Sequence, residues 1–275
     1  MPSEVDFLEV SPENYLGRGG AARRALERAC AAYPIVTHGL SMSLGGSDPL
    51  DARYLRELRA FVAEVKSPWH SDHACMSLDG GRMLHDLLPI PLTKKSASHV
   101  ADRVKAAQDA LGVPMAIENV SFYAHAGAAE LSEPLFVRAI CELANCGWLF
   151  DVNNAVVNAS NFSLDVDDWL RWAPLERVVQ IHVAGHEWFD FEAGELVPLG
   201  PTRPNEEPRA SVDRLVIDTH GAAAQPAVLA LLELALARTG PVPIVIERDQ
   251  NIPPLSELLA EVARVRVIAQ RALTR

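Results

Sequence analysis

Short apolar runs rich in β-formers alternate with helix-forming stretches from one end of this sequence to the other. The runs fall at residues 5–10, 35–38, 69–76, 115–119, 148–152, 178–183, 215–218 and 242–247. Between them, residues 54–65, 98–111, 133–145 and 226–238 carry apolar side chains at helical spacing among good helix formers. Strands that alternate with helices pair in parallel through right-handed crossovers, and strands covered on both faces read as continuous apolar runs, as these do. Eight such units in about 250 residues predict an α/β fold, one (β/α)₈ TIM barrel formed by residues 1–275. A doubly wound open sheet would begin with a Gly-rich phosphate turn. The turn after the first run, Ser11-Pro-Glu-Asn-Tyr-Leu-Gly-Arg-Gly-Gly20, lacks the G-x-G-x-x-G spacing. Two irregularities are expected. The first run starts almost at Met1, which leaves no room there for a helix plugging the barrel floor, and residues 187–213, rich in proline and acid, read as a long inserted loop.

Composition narrows the partners. A chain that is 49% hydrophobic and 22% charged can bury one large core and remain soluble. A net charge of −11 without a Lys/Arg run repels phosphate backbones, so nucleic acid is disfavoured. Cys30, Cys75, Cys141 and Cys146 form no Cys-x-x-Cys pair and are too sparse for a disulfide scaffold, which suits a reducing cytoplasm. The N-terminus lacks the zones of a signal peptide, and no apolar stretch approaches the roughly 20 residues needed to span a bilayer. A cytoplasmic location with no membrane partner is expected.

The chemistry gathers where these runs end. An α/β barrel exposes its active site at the C-terminal ends of its strands. There the sequence places His38, His73, Glu118-Asn119, Asp151-Val-Asn153-Asn154, His182 and His186, Asp218 and His220, and Glu247-Arg248-Asp249. Residues two apart on a strand share a face, so Asp218 with His220, and Asp151 with Asn153, can point into one mouth. Asn154 can join Asp151 if the chain turns into a helix at that point. Singly, a strand-end His is an ordinary hydrogen-bonded residue and a strand-end Asp caps the next helix. Collectively, several carboxylates at one rim need a cation, since uncompensated burial costs several kcal/mol per ion. An imidazole, carboxylate and amide set suits iron, manganese or zinc. His85, His99 and His125 read as solvated or capping residues, and His70 could point into the barrel. Arg248 with Asp249, and Glu13 with Asn14, could equally touch substrate or make surface ion pairs and turns.

The whole set resembles a known one: Phe-Leu-Glu-Val-x-Pro-Glu-Asn-Tyr near the start, His38-Gly-Leu-Ser-x-Ser, Glu118-Asn119, Asp151-Val-Asn-Asn154, Gln-Ile-His182-Val-Ala-Gly-His186, Asp218-Thr-His220-Gly, and Ile-Glu247-x-Asp249-x-x-Ile-Pro253. It is similar to the multinuclear non-haem iron-dependent oxidative enzymes, the family of the methanobactin biosynthesis oxidase. The resemblance implies a xylose isomerase-like TIM barrel holding two or three iron ions, a mixed-valent Fe2+/Fe3+ set that zinc or manganese could replace. It implies His38, His73, Glu118, Asp151, Asn154, His182, Asp218, His220 and Glu247 as ligands, with Glu118 and Glu247 bridging. Glu118, His186 and Asp249 are then the candidates for catalysis. The implied substrate is a residue, often cysteine, of a ribosomally made precursor peptide, presented by a partner protein and oxidised with dioxygen. The chain departs from that family in its short opening and its long 187–213 loop. Two other readings of the same residues are a zinc-dependent phosphodiesterase like endonuclease IV, and a metal-dependent sugar isomerase or epimerase.

Overall fold

The computed structural model describes residues 2–191 and 214–274, so most of the expected 187–213 loop lies outside the described residues. The chain runs β1 (Leu8–Val10), α1 (Gly20–Ala32), β2 (Ile35–Gly39), α2 (Ala52–Val65), β3 (His70–His73), β4 (Met76–Asp79), β5 (Arg82–Leu88), α3 (Lys94–Leu111), β6 (Met115–Glu118), α4 (Glu133–Ala144) and β7 (Gly147–Asp151). It continues through α5 (Val152–Phe162), α6 (Val166–Trp172), β8 (Val178–Val183), β9 (Glu187–Asp190), β10 (Arg214–Ile217), α7 (Pro226–Thr239), β11 (Ile244–Ile246) and α8 (Leu255–Leu273). Local chemistry starts and stops these helices. The Asp51 carboxylate caps α2 by accepting from the N–H groups of Arg53 and Tyr54, and α3 ends on Gly112 in the left-handed region.

Seven strands form one parallel sheet in the order β1-β2-β3-β6-β7-β8-β11, curled into a nearly closed TIM barrel with helices outside. The strands β2, β3 and β6 are buried along their whole length; the apolar starts of β2 and β6 predict this, whereas β3 buries the polar run His70-Ser-Asp-His73. The main core lies between sheet and helices, around Leu58, Val104, Ile140, Trp148, Phe150, Ile181 and Leu232. β1 and β11 do not pair, and a cavity of about 740 Å³ lined by Leu8, Ile244 and Leu258 lies along that seam.

Two expectations are corrected. Residues 215–218 do not form a barrel strand: β10 pairs antiparallel with β9, and β11 bonds directly to β8. The Asn161 side chain occupies the place of a neighbouring strand, donating to the Val216 carbonyl and accepting from the Val216 N–H, both at 2.8 Å. The run at 69–76 is also not one strand. β3 stops at His73, and the chain re-enters as the β4–β5 hairpin, on which His85 adopts a left-handed conformation rather than lying in a loop.

Candidate metal centre

Each strand end delivers its side chain to the same place because parallel strands in a barrel finish at one rim. On β6, Glu118 is buried with its Oε2 3.1 Å from Nε2 of both His38 on β2 and His73 on β3. The protonation of both rings follows from their other nitrogen. His73 Nδ1 lies 3.2 Å from the Gly39 carbonyl, which can only accept. His38 Nδ1 lies 2.9 Å from Ser71 Oγ, whose own proton goes to the Thr37 carbonyl. Both imidazoles therefore carry hydrogen on Nδ1 and turn Nε2 toward Glu118. Burial, then the neighbouring His73 and His182, holds His38 well below the usual histidine range, so it is neutral and ready to ligate.

Asp151 does two jobs. Its Oδ1 caps α5 by accepting from the Asn154 N–H at 2.7 Å, while its Oδ2 is buried without a hydrogen bond. The helix begun by that cap brings Asn154 around to the same side, where its Nδ2 donates to the Asn119 carbonyl and its Oδ1 is left bare. Asn119 locks β6 to β7. Its Oδ1 accepts from the Asp151 N–H and the Trp148 indole, and its Nδ2 donates to the Asp151 carbonyl. Burial, then Glu118, Asp218 and Glu247, pushes the Asp151 carboxyl well above the usual carboxylate range.

From β8, the fully buried His182 turns Nδ1 toward Glu247 Oε1 at 3.2 Å and Glu118 Oε1 at 3.4 Å. Burial opposes its protonation, yet Glu247, Glu9 and Glu118 raise its pKa well above the histidine value. His220 lies 2.9 Å from Asp218 Oδ1 and, through Nδ1, 3.1 Å from Asp249 Oδ2. Against burial, those two bonds push it up to about 12. Asp218 and His220 meet through a left-handed turn at His220 beyond β10, not through the alternation of a barrel strand. Glu247 is held down to about 2, burial being outweighed by His182 and His220. These displacements share one cause: acids and bases crowded out of water must compensate one another, the work a cation does where one is bound.

Among the described residues, four groupings have ligand atoms within 4.8 Å of one another: His38, His73 and Glu118; Glu118, Asp151 and His182; Asp151, His220 and Glu247; and Glu9, His182 and Glu247. Glu118, Asp151, His182 and Glu247 each belong to two. Glu118 Oε2, Asp151 Oδ2, Asn154 Oδ1 and His182 Nδ1 are buried and make no hydrogen bond. Bare acceptors aimed into one space fit metal ions held by nitrogen and oxygen. Asp218 joins none of these groupings, accepting instead from Asn153 Nδ2 at 2.8 Å. His186 stands one residue further out, its Nδ1 2.8 Å from Asn153 Oδ1, and burial depresses its pKa against the pull of Asp218. Asp249 is 75% exposed at the rim.

Other candidates have partners away from the cluster. Arg248 forks onto Glu261, His99 bonds the Gly46 carbonyl, and Glu13 accepts from Tyr54 and Leu40. His70 is buried in the barrel against Thr37. Sequence reading missed Glu9, whose Oε1 lies 3.0 Å from His182 Nε2. The signals were an acid inside the apolar first run and its place in the opening Phe-Leu-Glu-Val motif, to which no role was given.

A family profile described as "RiPP precursor modification enzyme MbnB/TglH/ChrH" matches residues 1–270. A UPF0276 protein of Neisseria meningitidis serogroup B is 41% identical over 272 residues, covering 98% of this chain and 89% of that protein. One from Pseudomonas aeruginosa is 41% identical over 268 residues, covering 98% and 86%. Among solved structures, a xylose isomerase-like TIM barrel protein from Mycobacterium smegmatis in complex with magnesium aligns with a TM-score of 0.58 at 11% identity, over 98% of this chain and 85% of that one. A D-psicose 3-epimerase aligns at 0.55 and 12%, over 98% and 89%. Those two share the xylose isomerase-like barrel, while the profile matches nearly the whole chain, so this chain belongs to the MbnB/TglH/ChrH family of RiPP precursor modification enzymes.

Proposed function

We propose that this protein is an iron- and oxygen-dependent oxidase that modifies a residue, cysteine in the first instance, of a ribosomally synthesised precursor peptide. The observation that carries the reading is the convergence of bare buried acceptors from Glu118, Asp151, Asn154 and His182 between further imidazoles and carboxylates. A sugar isomerase with one metal bridged by Glu118 and Glu247 leaves His38 and His73 without a role. Family membership supports a peptide substrate. Bound there, two or three irons with dioxygen would supply one-electron oxidation, the irons also offering a soft thiolate an anchoring position.

The chain's own residues divide the remaining work. His38, His73 and Glu118 would hold one ion, and Glu118 would share its second oxygen with an ion between Asp151 and His182. Asp151, His220 and Glu247, with Asn154 and Asp218 alongside, would hold the third. Asp249, exposed and bonded to His220, would meet the peptide and take a proton from it at Oδ2, with His186 orienting the substrate beside Asn153. A partner protein that presents the peptide fits an open rim. A reducing cytoplasm fits the free cysteines, and among the described residues no helix is long and apolar enough to cross a membrane.

The test is oxygen uptake by ferrous-loaded protein with cysteine-bearing peptides encoded beside its gene. Uptake with a matching change in peptide mass is expected, and Glu118→Ala should abolish both. If every such peptide leaves oxygen unconsumed while zinc-loaded protein cleaves abasic-site DNA, the hydrolase reading replaces this one.

A further inference from the structure

Glu9 has no part in the ligand set that the motifs imply, yet it is the best-fixed carboxylate near His182. Its Oε2 accepts from Gln180 Nε2 at 2.5 Å and lies 3.1 Å from His182 Nε2, while its Oε1 lies 3.0 Å from that same nitrogen. The orientation of the Gln180 amide is decided one step back. The Trp69 indole N–H, which can only donate, points at Gln180 Oε1 at 3.2 Å, so the amide NH2 must face Glu9. Gln180 and His182 stand two apart on β8 and share its inner face, which brings Gln180 Nε2 within 2.9 Å of His182 Nε2; both Glu9 oxygens, which as a carboxylate can only accept, also face that ring nitrogen and call for a proton on it. Gln180 and His182 are fully buried, so water does not compete for these bonds.

We infer that Glu9 is a positioning residue that accepts the Nε2 proton of His182 and so commits that imidazole to bind metal through Nδ1. The inference rests on the reading that the cluster holds metal ions. His38 and His73 carry their hydrogens on Nδ1 and present Nε2. His182, which enters from the opposite wall, has to be wired the other way round for its bare nitrogen to meet the same Glu118. Nδ1 is the nitrogen left without a hydrogen bond and facing Glu118 and Glu247. Without an acceptor on Nε2 the two tautomers of a neutral ring compete, and the one protonated on Nδ1 cannot ligate from that side. Glu9 also lies within ligand reach of His182 and Glu247. Both of its oxygens, however, sit against His182 Nε2 and Oε2 also accepts from Gln180, so it acts on the metal through the ring.

Zinc is a diamagnetic probe that separates these possibilities without any oxidation chemistry. In zinc-loaded protein labelled with 15N-histidine, His182 should show a metal-bound Nδ1 and a slowly exchanging Nε2–H. Glu9→Ala should remove the protection of that proton and weaken zinc at the His182 position about 10- to 100-fold, while saturating zinc still fills the same number of sites. Glu9→Gln, whose amide oxygen can still accept, should fall between, and far-UV circular dichroism of both variants should match the parent. A metal-bound Nε2 on His182 overturns the inference, as does loss of one whole zinc equivalent from Glu9→Ala at saturation, which would make Glu9 itself a ligand. Failure of the parent to bind zinc or iron at all sinks the metal reading beneath it, a result distinct from either.

Discussion

His70 shows at one residue how burial becomes a pH dependence. It sits fully buried beside Thr37, and burial holds its pKa down to about 3, against a small opposing effect of the Thr37 bond. Unfolded histidine titrates near 6.5, so as pH falls below that value the unfolded chain takes up a proton that the native ring refuses. Stability is therefore present above about 6.5 and drains away between there and about 3, with one proton contributing a slope of about 1.4 kcal/mol per pH unit. Urea unfolding of metal-free protein should show that acid limb, and His70→Gln should flatten it by one proton's worth. An unchanged slope would mean His70 is already protonated in the native state.

At the level of elements, β8 carries His182, the loop leaving it carries His186, and Gly185 lies between them. A Cβ at Gly185 would collide with the backbone carbonyls of Ala222 and Ala223, which cannot swing aside as a side chain can. Gly185→Ala should cost about 1–3 kcal/mol and weaken metal binding, because the strain is relieved only by moving the chain just after His182 or just after His220. Thermal unfolding together with a zinc titration checks both parts, and loss of stability without any loss of metal would separate the loop from the site. The same level shows where sequence reading stops. The run at 215–218 has the apolar content of a barrel strand, but whether it joins the sheet depends on what meets its backbone, and Asn161 arrives from a helix more than fifty residues earlier.

For the whole molecule, the metal ions should bind the native rim far more strongly than the unfolded chain, where their ligands are dispersed. Ligand that binds only the native state stabilises it, by about 2.7 kcal/mol at a hundred times its dissociation constant. Dialysis against a chelator should therefore lower the melting temperature, and restoring iron or zinc should recover it. A melting temperature indifferent to both would remove the case for cations among Glu118, Asp151, His182 and Glu247.

The alternation of strand and helix, the parallel barrel and most of the rim residues were legible in the linear order alone. Apolar periodicity and strand-end position are local properties, and parallel topology carries every strand end to one side. Tertiary structure alone decided the rest: that seven strands rather than eight pair in the sheet, that Asp218 and His220 meet through a left-handed turn, and that Glu9 stands behind His182. Each of these depends on which buried donor finds which acceptor across the barrel. That pairing joins residues up to 173 positions apart, and no local pattern records it.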